Sequence, residues 1–129
     1  MTYIEAVRIL LSIAAAKCWY IDHLDIKGAF LYATLSNYAE VYMRLPRTPG
    51  VPEASGDIVK LRLSLNGRHQ ALRLWYELLA KRLKKIGFRR SIVNDAIFIS
   101  TRHGQTVYII VYVDGILVVG DREAIQSVK

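Results

Sequence analysis

The stretch Val107-Tyr-Ile-Ile-Val-Tyr-Val-Asp-Gly-Ile-Leu-Val-Val-Gly120 decides the fold, because two apolar, β-branched runs flank the pair Asp114-Gly115. Such runs favour strands, and an Asp-Gly pair between them signals a hairpin, since glycine readily takes the positive φ of a tight turn. This reading puts Asp114 at the hairpin tip and makes Gly115 the left-handed residue. Taken alone, Asp114 is only a turn residue. Trp19-Tyr-Ile-Asp-His-Leu-Asp25 gives it company: this second strand-like run, aromatic and β-branched, also stops on an acid. If the two strands are neighbours, the carboxylates of Asp25 and Asp114 converge. Adjacent desolvated carboxylates repel each other, and a shared proton or a divalent cation relieves that repulsion.

Working outward, Ile4, Val7, Leu10, Leu11 and Ala14 recur at helical spacing, which predicts a helix over residues 3–17, with Thr2 and Glu5 as a capping box. Residues 28–36 suit a short helix and 40–43 a short strand. Pro46, Pro49, Gly50, Pro52, Ser55 and Gly56 mark a surface connection over about 46–57. Ile58 to Leu63 alternates weakly and is expected to return to the sheet. A long helix follows over 69–86, with Leu72, Trp75, Leu79, Leu83 and Ile86 as its apolar stripe and Gly87 as its stop. Residues 96–101 read as a strand that turns over 102–105 into the central hairpin. Strands and helices do not alternate regularly, so the expected class is α+β: a mostly antiparallel sheet with helices on one face, leaving the other free for a ligand.

Composition narrows the function. The 129 residues suffice for one domain or part of one, and 53% are hydrophobic, which excludes a disordered chain. Eighteen Lys and Arg against eleven acids give a net charge of +7, favouring polyanionic partners such as nucleic acid over acidic small molecules. A basic face merely solvated by water is the plainer alternative, and it applies to Lys81, Arg82, Lys84, Lys85, Arg89 and Arg90 in particular. Cys18 is the single cysteine, so an internal disulfide and a multi-cysteine metal site are excluded. His23, His69 and His103 lack metal-ligand spacing. The N-terminal apolar stretch is short and carries Glu5, unlike a signal peptide, and no run approaches the ~20 residues of a membrane span. An intracellular site, cytoplasmic or nuclear, is expected.

Five segments carry a resemblance. Leu24-Asp-Ile-Lys-Gly-Ala-Phe-Leu31, Glu40-Val-Tyr-Met43, Ser64-Leu-Asn-Gly-Arg-His-Gln-Ala-Leu-Arg-Leu-Trp-Tyr76, Gly87-Phe88 and Tyr112-Val-Asp-Gly-Ile-Leu-Val-Val-Gly120 resemble, in order and spacing, the reverse transcriptases of copia-type LTR retrotransposons. The resemblance spans nearly the whole chain. It implies a polymerase palm with a ferredoxin-like core, fingers and thumb largely absent, and RNA-directed DNA polymerase activity by two-metal nucleotidyl transfer. Asp25 and Asp114 would be the catalytic acids, both holding Mg²⁺, with Mn²⁺ as a substitute. Ile26, Lys27, Gly28, Ala29 and Phe30 would line the incoming dNTP, the Phe30 ring excluding a ribose 2′-hydroxyl. Gly67 and Gln70 would lie near the nascent base pair, and Arg73, Tyr112 and Val113 near an RNA or DNA template-primer. Trp75 matches the family too, although its place on the apolar stripe assigns it to the core.

The departures are as informative. Where the family has Tyr-x-Asp-Asp, this chain has Tyr112-Val-Asp-Gly115, so one of three metal-directed carboxylates is missing. Asn66, Arg68, His69, Leu72 and Leu74 also replace the family's Tyr, Leu, Lys, Pro and Gln. Weakened metal binding and very low or absent polymerase activity are expected, because misplacement of reacting groups is costly in phosphoryl transfer. Exposed palm surface would also promote self-association. Two other readings compete: a non-enzymatic basic module derived from the palm that binds nucleic acid or protein, and an unrelated ferredoxin-like binding domain. Metal-dependent nucleotide incorporation separates the first reading from these.

Overall fold

A computed structural model describes residues 4–33, 35, 40–46, 57–63 and 69–128, with residues 69 and 70 described by their backbone alone. Thr2, the connection over 47–56 and Gly67 lie outside the described residues. The chain divides into two compact units, Met1–Lys27 with Tyr76–Lys129, and Gly28–Trp75.

The first unit is built on a five-stranded antiparallel sheet. Its strands are β1 (Tyr20–Asp25), β4 (Arg89–Arg90), β5 (Ile97–Arg102), β6 (Gln105–Tyr112) and β7 (Gly115–Gly120), in the spatial order β1-β7-β6-β5-β4. The quoted stretch forms the hairpin β6–β7 at the sheet's centre, in register from Val107 opposite Gly120 to Tyr112 opposite Gly115. Helix α1 (Ile4–Ala16) precedes β1. Leu10 and Ala14 from α1 close on Ile110 and Val119, with Ile97, Tyr108 and Leu117 around them.

The other face of the sheet is covered as well. Adjacent strand residues point to opposite faces, so Phe98 faces away from Ile97 and therefore away from α1. There it meets Tyr76 of α2 (His69–Lys85), ring centroids 6.2 Å apart, while the Tyr76 hydroxyl donates to the Asp95 carbonyl. Burial raises the Tyr76 pKa, with Arg90 stacked over the ring opposing that rise. Helices thus cover both faces, which corrects the expectation of one open face. The cause is visible in Ile109-Ile110-Val111 and Val118-Val119, buried at consecutive positions; a continuous apolar run needs cover on both sides. A short helix α3 (Arg122–Gln126) completes the unit.

In the second unit, residues 29–32 form a single 3-10 turn within the stretch 28–36 expected as a short helix, of which 34 and 36 lie outside the described residues. Among the described residues, strands β2 (Tyr42–Arg44) and β3 (Ile58–Lys60) pair with each other alone. The part of 58–63 that forms a strand, Ile58–Lys60, thus pairs with the equally short segment at 42–44 and not with the main sheet. Glu40 accepts from Lys60 and from the Tyr42 hydroxyl, and these bonds hold its pKa below the ordinary carboxylate value. The core here is Ala33, Leu35, Val41 and Leu74. Trp75 is 3% exposed, as its place on the stripe implies, whereas Leu72 and Ile86 are each 47% exposed and lie off the buried side of α2. Among the described residues, no helix is long and apolar enough to cross a membrane.

Candidate active site

Strand pairing brings the two strand-end acids to one edge of the sheet. β1 runs antiparallel to β7, placing Asp25 directly opposite Gly115. One residue further on, the Ile26 N–H donates to the Asp114 carbonyl at 3.1 Å. Asp25, the last residue of β1, and Asp114, in the turn just before β7, therefore lie at the same end of the sheet, and both are exposed. Tyr112, 67% exposed, stands on the other side of Gly115, so Asp25, Gly115 and Tyr112 form one row across three strands.

The turn differs from its expected form. Its two residues are Val113 and Asp114, and the left-handed one is Val113, at φ 56°. Gly115 already belongs to β7 and does not adopt positive φ. A two-residue hairpin of this kind takes positive φ at its first central position, and the register makes that position 113. A β-branched residue in this region is strained, and such strain is tolerated where the surrounding ladder dictates it.

What Gly115 leaves open is defined by its neighbours. A Cβ built there would meet His23 Nε2 and the Tyr112 carbonyl oxygen, each at 3.4 Å, which is ordinary van der Waals contact. A Cβ at 115 is thus accommodated, pointing to the same face as Asp25 and His23. The sequence reading gave His23 no role; its position two residues before Asp25 on the same strand was the available signal, since a period of two puts both on one face.

The remaining site residues distribute as follows. Ile26 and Lys27 follow Asp25 in the first unit, with Val113 beside Asp114. Gly28, Ala29, Phe30 and Arg73 belong to the second unit, as does the backbone of Gln70. Gly28 is left-handed at φ 64°, and its carbonyl accepts from the Leu31 N–H at 2.8 Å, which opens the 3-10 turn carrying Ala29 and half-buried Phe30. Among the described residues, no cluster of three or more His, Cys, Asp or Glu side chains is arranged to hold a metal. Asp25 and Asp114 are the carboxylates here that could contribute ligands to Mg²⁺, which commonly takes one or two carboxylates and completes its shell with waters and phosphate oxygens.

The sheet is antiparallel and α+β, with one acid at the tip of its central hairpin and another at the end of the neighbouring strand, and comparison with known proteins identifies the family. The family model described as reverse transcriptase (RNA-dependent DNA polymerase) matches residues 1–129, and the chain belongs to that family. It is similar to the retrovirus-related Pol polyproteins from transposons RE1 and RE2 of Arabidopsis thaliana, at 39% and 40% identity over 118 residues, 90% of this chain. It is also similar to the retrovirus-related Pol polyprotein from transposon TNT 1-94 of Nicotiana tabacum, at 29% over 126 residues, 96% of this chain. The match covers only 8%, 8% and 9% of those three polyproteins. No solved structure matches the chain significantly.

Proposed function

We propose that this chain is the palm portion of a retrotransposon reverse transcriptase, with its polymerase activity strongly weakened. The observation that carries this reading is the pairing of Asp25 opposite Gly115, with Asp114 bonded through its carbonyl to the Ile26 N–H. Asp25 and Asp114 would hold Mg²⁺ or Mn²⁺. When bound, such an ion neutralises phosphate charge and lowers the pKa of a hydroxyl it contacts. The protein's own contribution is positional: the ladder sets the spacing of the two acids, and the Phe30 ring would admit only a deoxyribose. Gly67, Gln70 and Arg73 would line the nascent pair and the template, with Tyr112 and Val113 contacting the primer-template.

Gly115 accounts for the loss. Without a carboxylate there, the cleft has two acids for two divalent ions, and the primer hydroxyl is poorly aligned. Because a Cβ at 115 meets nothing closer than 3.4 Å, Gly115→Asp tests this directly. In primer extension with Mg²⁺ or Mn²⁺, the unmodified chain is expected to incorporate dNTP barely above background. Gly115→Asp should raise incorporation by about 10²-fold, the scale of a lost positional constraint. Robust incorporation by the unmodified chain would refute the proposed defect. No gain from Gly115→Asp in a folded protein would favour the second reading, a non-catalytic basic module, which the exposed cations of α2 support.

A further inference from the structure

The positive charge of this protein is not spread evenly. No acid lies between Glu77 and Asp95, while Lys81, Arg82, Lys84, Lys85, Arg89 and Arg90 fall in that interval. Arg90 is used internally, stacked over Tyr76 and Phe98 with its guanidinium 4.0 Å from Asp95. The other five are exposed, and no carboxylate pairs with any of them among the described residues. On α2 the four cations stand at i, i+3 and i, i+4 spacings, opposite the buried Leu79, Ala80 and Leu83, and so form one continuous ridge.

Helix capping alone explains little of this ridge. Cations near a helix C-terminus gain from its dipole, but like charges at these spacings repel by a comparable amount. The helix end is also satisfied already. The Phe88 N–H donates to the Leu83 carbonyl, the Gly87 N–H to Lys84, and the Arg102 guanidinium to Ile86. Arg102 is the last residue of β5, at the end of the sheet opposite Asp114, and a guanidinium has five N–H donors, so others remain for a ligand. β6 is 8 residues long, which separates that end from the Asp25–Asp114 tip by ~25 Å.

We propose that Lys81, Arg82, Lys84, Lys85, Arg89 and Arg102 form a phosphate-binding surface for a nucleic-acid backbone, distinct from the acidic tip. A polyanion relieves the mutual repulsion of the ridge and releases its own condensed counterions on binding. Guanidinium and ammonium groups without base-reading partners recognise backbone rather than sequence, so the surface binds duplex irrespective of sequence.

The test is equilibrium binding of a fluorescent B-form DNA duplex to the full chain over a range of salt, with two charge-matched variants. In the first, Lys81, Arg82, Lys84 and Lys85 become Gln; in the second, Arg8, Lys17, Arg44 and Arg62 do. Thermal melting by circular dichroism confirms that both are folded. The ridge variant is expected to lose about 10²-fold in affinity near physiological salt and to flatten the salt dependence by about three to four units of log K per log salt. The control variant should change by less than about tenfold. Equal losses in both variants, no loss in the ridge variant, or binding to phosphatidylserine vesicles but not to duplex would each overturn the proposal. The readout is equilibrium binding and not nucleotide incorporation, so failure here is distinct from failure of the polymerase reading.

Discussion

At position 113 the backbone does something its residue type resists. Val113 takes φ 56° with a branched Cβ, which costs about 1–2 kcal/mol relative to an ordinary conformation. Asparagine tolerates that region far better, so Val113→Asn should raise stability by roughly 1 kcal/mol, read as a higher urea midpoint with an unchanged slope. An unchanged or lower midpoint would show that other contacts of Val113 outweigh the relief. The Asp114-Gly115 pair announced a hairpin correctly but not which residue turns, since a shift of one residue preserves both the strands and the glycine. Register settled it: with Tyr112 opposite Gly115, the turn is Val113-Asp114. That glycine stands at position 115, by contrast, was legible outright, because it is a matter of residue identity.

Among the elements, the ends of α1 and α2 form an internal comparison. Both close with the same pair of backbone bonds: Trp19 N–H to Ala14 and Cys18 N–H to Ala15 in α1, Phe88 N–H to Leu83 and Gly87 N–H to Lys84 in α2. The pattern requires a left-handed residue after the helix, and that residue is Cys18 at φ 54° in one case and Gly87 at φ 91° in the other. Cys18→Gly should therefore stabilise by roughly 1 kcal/mol, and Gly87→Ala should destabilise by about 1 kcal/mol or more, the cost of a left-handed Cβ. The methyl added by Gly87→Ala would also crowd Arg102, whose Nη2 would lie 3.1 Å from the new Cβ. Paired thermal melts check both signs. Gly87 was readable as a stop signal; Cys18 was not, because cysteine has no preference for that role. Strand β4 and helix α3 also went unread, for a plain reason: two and five residues are too few to display a period.

For the molecule as a whole, charge and apolar exposure oppose each other. Net charge of +7 keeps copies apart, while Ile92 and Val93 are 102% and 87% exposed and Ile4 and Ile9 more than half exposed. Screening the charge should tip the balance, so light scattering is expected to show growing self-association as salt rises from ~0.01 to ~0.5 M, where the Debye length falls from about 30 Å to below 10 Å. A monomer throughout would show that the apolar residues are too scattered to associate. The α+β class and the family were legible because each rests on several motifs in order. The division into two units and the covering of both sheet faces were not, since they depend on which short strands pair and which side chains meet across the sheet.

Among the described residues, Asp25 rides on an edge strand, for β1 has a hydrogen-bonded neighbour there on one side only. Its amides should exchange with deuterium ahead of those in β6, which is flanked on both sides. Warming would then peel Asp25 away from the hairpin while the interior still holds together, so any catalysis restored at position 115 would fade several degrees before the fold itself melts.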